Sequence, residues 1–232
     1  TRNLSFEASP PNDRHVLERA RLITVRHPDC ANLPSSVKTH YLPCPALFSA
    51  AAATRRNNME KVAVSLQGSG AGNGQRIDES VLDLGVSIYH KLAARYATTL
   101  VLHYAEELDD VIAARGIDGP FVYSSDANEL LALYNQFDIT VTTRIHGAGA
   151  CASLGVPSVL LAHSARSGTV DGFLSEQLDP TTVTAVGPLA HIEALYVAAR
   201  SAPPVAHREV TWSRYLALLT PVLSDLAPAP GI

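Results

Sequence analysis

Two side chains able to handle an anion and a proton stand two positions apart in the run Thr142-Thr143-Arg144-Ile145-His146-Gly147-Ala148-Gly149-Ala150. Arg144 brings a permanent charge and a fork of donors that matches phosphate or carboxylate. His146 brings a group that gives or takes a proton near neutral pH. The run follows a strand-like segment and opens a helix-like one. A helix N-terminus adds unpaired N–H groups and a partial positive charge. Gly147 and Gly149 weaken that helix, a cost offset if a ligand or a neighbouring strand comes close. The plainer reading is a tightly packed helix start with a surface arginine and a satisfied histidine. Anion-binding helix starts recur in alternating α/β chains, which favours the functional reading.

Other candidates are weaker. The loop Gln67-Gly68-Ser69-Gly70-Ala71-Gly72-Asn73-Gly74-Gln75-Arg76 follows a strand and precedes a helix. It has neither the Gly-Lys-Ser/Thr ending of a P-loop nor the G-x-G-x-x-G spacing. Gly68, Ser69 and Gly70, with Arg76, can wrap a ligand phosphate, and an ordinary surface loop is an equal reading. His103 closes a strand and is followed by Glu106, Glu107 and Asp109. Acids at a helix start are favoured by the dipole alone, which outweighs a metal site. His163 and Arg166 follow another strand and are second-tier ligand-binding candidates. Cys30, Cys44 and Cys151 form no C-x-x-C pair. That argues for a reducing, cytoplasmic setting, for buried or half-buried thiols, and against a zinc ribbon or a disulfide frame. No G-x-S-x-G elbow supports a serine hydrolase.

The elements that must position these residues follow from apolar spacing. Short apolar runs predict strands at Arg21–Arg26, Val62–Leu66, Thr99–His103, Phe121–Tyr123, Asp138–Thr142 and Pro157–Leu161. Helical spacing predicts helices at Asp13–Ala20 with Asp13 as N-cap, Asp78–Tyr96, Glu106–Arg115 ended by Gly116, Asp126–Tyr134, and Ile145–Leu154 closed by Gly155. A last helix at Val210–Leu226 should kink at Pro221. Tyr41-Leu42-Pro43-Cys44-Pro45 is held extended by its prolines. Five-residue strands alternating with helices make an α/β fold, a doubly wound parallel sheet covered on both faces. Ligands bind such lobes at the carboxyl ends of the strands. By composition, residues 49–60 are a linker between a segment at 1–48 and a doubly wound lobe at 61–206, followed by a helix packing back at 207–226 and a frayed tail at 227–232.

With 47% apolar and 17% charged residues, the 232-residue chain has material for a real core, which excludes disorder as its main state. A net charge of −4 without a basic stripe makes nucleic acid a poor partner. No apolar run approaches the ~20 residues of a membrane span, and no signal-like segment opens the chain.

The stretch FDITVTTRIHGAGACASLGVPSVLL resembles the polysaccharide pyruvyl transferase family. The likeness rests on Asp138, the Arg-x-His-Gly block (Arg144, His146, Gly147), then Gly155 and Pro157. Fainter echoes lie at Arg26, at LPCPALF, at VAVSLQG, and at His103 with Glu107 and Asp109. The resemblance implies a two-lobed GT-B-type fold, with residues 61–206 as its Rossmann-like lobe and residues 1–48 as a partial first lobe. It implies transfer of the enolpyruvyl unit of phosphoenolpyruvate to a sugar, giving a pyruvate ketal and phosphate in cell-surface or exopolysaccharide synthesis. The donor is a substrate, and neither a cofactor nor a metal is implied. The partner is a sugar or lipid-linked saccharide, which would bring only peripheral contact with the inner face of the membrane. It further implies that Arg144 and His146 bind donor and catalyse, with Arg26 assisting. His146 is then the general acid, and Arg144 holds the donor's anionic groups. The sequence departs from the family in lacking a Gly-Asn-x-Gly-Asp loop. It also has Cys44-Pro45 where Asp-Pro is frequent, and Arg166 rather than Lys after the strand ending at Leu161. A nucleotide-sugar glycosyltransferase and a non-catalytic anion-binding lobe are the alternatives.

Overall fold

The computed structural model describes residues 11–27, 39–51, 58–68, 77–173, 175–183, 187–201 and 205–225. Helix α1 (Pro11–Arg19) leads to β1 (Ile23–Val25) and β2 (Thr39–Tyr41), a parallel pair in which Thr24 faces His40. A 3-10 turn at Pro45–Phe48 follows. Then come β3 (Lys61–Ser65), α2 (Glu79–Ala93), β4 (Ala97–Leu102), β5 (Phe121–Tyr123), α3 (Ala127–Tyr134), β6 (Ile139–Thr142), α4 (Ile145–Leu154), β7 (Ser158–Leu161) and β8 (Glu176–Leu178). Helices α5 (Pro188–Ser201) and α6 (Val205–Ser224) close the order.

Six strands form one sheet in the order β5-β4-β3-β6-β7-β8, every neighbouring pair parallel. The chain builds outward from β3 to β5, returns to the middle, and builds outward again from β6 to β8. The strand order reverses between β3 and β6, and a crevice opens there at the carboxyl ends of the strands.

Both faces of the sheet are covered, which is why the middle strands read as unbroken apolar runs. Val62 and Val64 point to one side, into a core with Val81, Leu82, Ile88 and Leu92 of α2. Ala63 and Val101 point to the other, against Tyr134, Phe137, Cys151 and Leu154 from α3, α4 and their flanks. Asp78 and Asp126 cap α2 and α3, accepting from Ser80 N at 2.9 Å and from Asn128 N and Glu129 N at 2.8 and 3.0 Å. Such caps contribute about 1 kcal/mol each. Gly155 ends α4 in the left-handed conformation, φ 74°, where a Cβ would be strained. Asp138 ties β6 to β3 by accepting from Glu60 N and Lys61 N at 2.9 and 2.8 Å.

Several local expectations are corrected. Asp13 lies inside helix α1 and is not its cap. The segment after His103 is no regular helix. It is turns followed by a short π-type coil at Leu108–Ala113, with Glu107 buried just before the coil. Strands β2 and β8 and helix α5 are additional, their three-residue or weakly patterned sequences giving too little periodicity to read. Helix α6 starts earlier, at Val205, and keeps Pro221 within it.

The 3-10 turn seats Leu47 among Ala148, Ala152, Leu160 and Phe173. Helix α6 reaches back over this region. The Tyr215 hydroxyl donates to Pro43 O at 2.5 Å and Arg214 Nη2 to Tyr41 O at 3.0 Å. The Phe48 ring meets Trp212 and Tyr215 edge-on at 5.1 and 5.6 Å. Among the described residues no helix is long and apolar enough to cross a membrane.

Candidate functional site

Arg144 is the last residue before α4, with an extended backbone, φ −101° and ψ 115°. Its N–H donates to Thr142 Oγ1 at 2.9 Å. The side chain turns into the crevice between β3 and β6 and is only 8% exposed. There Arg144 Nη2 pairs with Glu107 Oε1. Glu107 is 1% exposed. Its carboxylate also accepts from His103 N at 2.9 Å and from Tyr104 N and Gly68 N, both at 3.3 Å. One carboxylate thus ties together the loops after β3 and β4 and the motif arginine after β6. The Tyr104 ring lies against the guanidinium, 5.2 Å from Cζ to the ring centroid, a favourable cation–π contact. Burial pushes the Arg144 guanidinium down to about 10, so it stays charged at neutral pH. Its Nε is buried without a hydrogen-bond partner among the described residues.

His146, exposed on the first turn of α4, meets Arg26 from the end of β1. Arg26 Nη1 lies 3.2 Å from His146 Nε2. A guanidinium only donates, so Nε2 accepts, and the neutral ring carries its proton on Nδ1. The same Nη1 lies 3.9 Å from Cys44 Sγ. The His146 ring, more than any other neighbour, draws the Cys44 thiol down to about 7 against the opposing effect of burial.

A cavity of about 310 Å³ opens over this crevice, at the small end of the ~300–1,000 Å³ usual for ligand pockets. Its polar wall includes Arg144, His146, His103, His163 and Arg166; Ala127, Leu130 and Leu131 of α3 make an apolar wall. His103 Nε2 lies 2.8 Å from the Tyr134 hydroxyl. Burial, then the Arg144 charge, pushes His103 down to about 3. Burial likewise raises the Tyr134 hydroxyl. His163 Nε2 lies 2.9 Å from the Thr143 carbonyl. A carbonyl only accepts, so Nε2 carries the proton and Nδ1 the lone pair. Burial lowers His163, with the bond to Thr143 working the other way.

Of the residues singled out from sequence, Arg144, His146, Gly147, His103, His163 and Arg166 line this one cavity, with Arg26 one hydrogen bond from it. Gly68 sits behind it against the acidic segment. A Cβ there would stand 2.9 Å from Asp110 Oδ2 and 3.1 Å from Asp110 Cβ. Ser69, Gly70 and Arg76 lie outside the described residues. Sequence reasoning passed over Glu107, whose acid was explained by a helix start. Only the faint echo at His103 with Glu107 and Asp109 signalled it.

A family model described as polysaccharide pyruvyl transferase matches residues 4–165. The search of curated proteins finds no match. Among solved structures, a UDP-GlcNAc 2-epimerase from Neisseria meningitidis bound to UDP-GlcNAc aligns with a TM-score of 0.45 at 13% identity. The alignment covers 71% of this chain and 46% of that one, so the chain spans about half that protein's length.

Proposed function

The chain belongs to the polysaccharide pyruvyl transferase family, and from that premise we propose that it moves the enolpyruvyl unit of phosphoenolpyruvate onto a saccharide, giving a pyruvate ketal in cell-surface polysaccharide synthesis. The reaction adds an acceptor hydroxyl to C2 of the donor while C3 takes a proton and becomes a methyl group. A second hydroxyl then replaces phosphate at C2, its proton leaving with the phosphate. The donor carries a phosphate and a carboxylate, so its site must offer several cationic donors at once. The observation that carries the reading is the convergence of Arg144, Arg166 and His146 on one cavity, with Arg26 beside it.

Arg144 has a different share of the work from that of a free cation. Glu107 already offsets its charge, so it offers the donor its unpartnered Nε and a rigid edge. Arg26 and Arg166 supply the charge that the donor's oxygens need. In the resting arrangement Arg26 donates to His146 Nε2. An anion is the stronger acceptor, so an arriving donor draws Arg26 to itself and frees Nε2 to carry the proton destined for C3. His163, with its proton fixed on Nε2 by Thr143, keeps a lone pair on Nδ1 for an acceptor hydroxyl.

The test is donor choice. Incubation with phosphoenolpyruvate and a saccharide acceptor should release inorganic phosphate and add a ketal methyl group seen by proton NMR. Phosphoenolpyruvate alone should raise the melting temperature by mass action. Nucleotide release from a sugar nucleotide, with phosphoenolpyruvate inert, would make the chain a glycosyltransferase. Stabilisation with no turnover of either donor would make it a binding lobe.

A further inference from the structure

The donor gives an occupant to the polar wall of the cavity and leaves the apolar wall without one. Phosphoenolpyruvate is small and anionic, and its oxygens fall to the side that carries Arg144 and Arg166. The wall made by α3 offers it nothing. Ala127, Leu130 and Leu131 recur at i, i+3 and i+4 and so share one face of that helix. All three line the cavity, Ala127 exposed and both leucines only half-buried. Tyr104 extends the same wall. Of the two tyrosines lining the cavity, Tyr134 is buried, with its hydroxyl engaged by His103. Tyr104 is 43% exposed. Its N–H donates to Glu107 Oε2, and its ring lies against the Arg144 guanidinium. The ring is therefore held at backbone and side chain, yet much of its surface stays open. A cation–π contact uses one face of a ring and does not explain the open remainder.

The second reactant has the chemistry to fill that wall. A pyranose ring carries C–H groups on its faces and hydroxyls around its edge. Laying one face on an aromatic and aliphatic surface removes apolar area from water on both sides, while the edge hydroxyls stay free to react. We infer that Tyr104 and the Ala127, Leu130 and Leu131 stripe of α3 are the seat of the acceptor sugar, with Tyr104 the specificity-determining residue that selects a ring with an open C–H face. The seat and the cationic side belong to one cavity, so a sugar lying on the seat turns its hydroxyl edge toward the donor. The inference rests on the pyruvyl-transfer reading for the second reactant's being a saccharide. It adds that the saccharide is held by apolar contact, whereas the donor is held by charge.

The probes are the methyl glycosides of glucose, galactose and mannose, each of which carries hydroxyl pairs that a ketal can bridge. Saturation-transfer NMR on the full chain, with phosphoenolpyruvate present, reads the seat without turnover. Irradiating the aromatic protons of the protein should saturate the C–H protons of at least one glycoside. Tyr104→Phe should keep that transfer and Tyr104→Ala should lose it. Because Tyr104 is exposed, both variants should fold. No transfer to any of these glycosides, or undiminished transfer in Tyr104→Ala, overturns the inference. In the phosphoenolpyruvate assay, Tyr104→Ala should raise KM for that glycoside about tenfold or more, with KM for the donor within about twofold. Tyr104→Phe should restore the wild-type value. An equal rise in both constants means that the ring serves Arg144 alone, and overturns the inference. A wild-type protein that turns over no phosphoenolpyruvate overturns the functional reading instead, while transfer to the glycoside still decides whether Tyr104 seats it.

Discussion

The Glu107 carboxylate closes on the Arg144 guanidinium in the crevice where the strand order reverses, both side chains withdrawn from solvent. The pair does more than cancel charge. Glu107 also accepts three backbone N–H groups, from Gly68, His103 and Tyr104. Removing one member of a buried pair leaves the other charge unpaired and costs about 3–5 kcal/mol. Glu107→Ala should therefore lower unfolding stability by that amount, a large share of the ~5–15 kcal/mol a domain has. Glu107→Gln, which keeps an acceptor oxygen, should cost less. Urea unfolding checks this. A midpoint in Glu107→Ala equal to that of the wild type would mean the carboxylate is not holding the crevice together.

His146 is exposed, and its ring contributes little to packing. His146→Ala should fold normally, with an unchanged melting temperature, and lose about 10²–10⁴ in turnover, the usual worth of a positioned acid. Arg26→Ala should act chiefly on KM for phosphoenolpyruvate, since under the proposed function the guanidinium, 3.2 Å from His146 Nε2 at rest, moves to the donor. Steady-state kinetics separate the two. Full turnover in His146→Ala ends the assignment.

The acid sensitivity of the fold should trace to His103. Burial holds it neutral down to about pH 3, whereas in the unfolded chain it takes a proton near pH 6.5. Between those values the unfolded state binds more protons, so stability rises with pH across the window and falls as acid is added. From pH 6.5 to 5 the loss is about 2 kcal/mol at most. His103→Gln, able to keep a bond to the Tyr134 hydroxyl, should flatten that part of the profile. Urea midpoints at the two pH values give the slope. A slope unchanged by the substitution would place the titration elsewhere.

The sheet was legible because its strands obey one rule. Val62, Val64, Val141 and Val159 lie in strands buried on both faces, and such runs stand out in any window. The caps Asp78 and Asp126 and the stop at Gly155 were legible for the same reason, each being a local cause with a local effect. Arg144 and His146 could be found because both requirements, a junction and a chemistry, sit within five residues. Glu107 could not. Its partner is 37 positions away, and an acid at the start of a turn has an ordinary explanation.

Gly149 was read as weakening a helix for the sake of a close approach, and the close approach is by the protein itself. A Cβ there would stand 2.8 Å from Ala46 Cβ and 2.9 Å from Phe173 Cζ, so α4 packs against the 3-10 turn with no room between. Gly149→Val should cost about 1–3 kcal/mol through overpacking. Its loss should fall on stability first, because the turn and α4 leave no room for a larger side chain. Gly147→Ala is the contrast. Its Cβ would meet neighbours at 3.2 to 3.5 Å on the cavity side, a tight but smaller misfit, so its effect should fall on donor KM more than on stability. Urea unfolding and steady-state kinetics on the two variants decide the matter. A Gly149→Val protein as stable as the wild type would mean the turn is not held against α4.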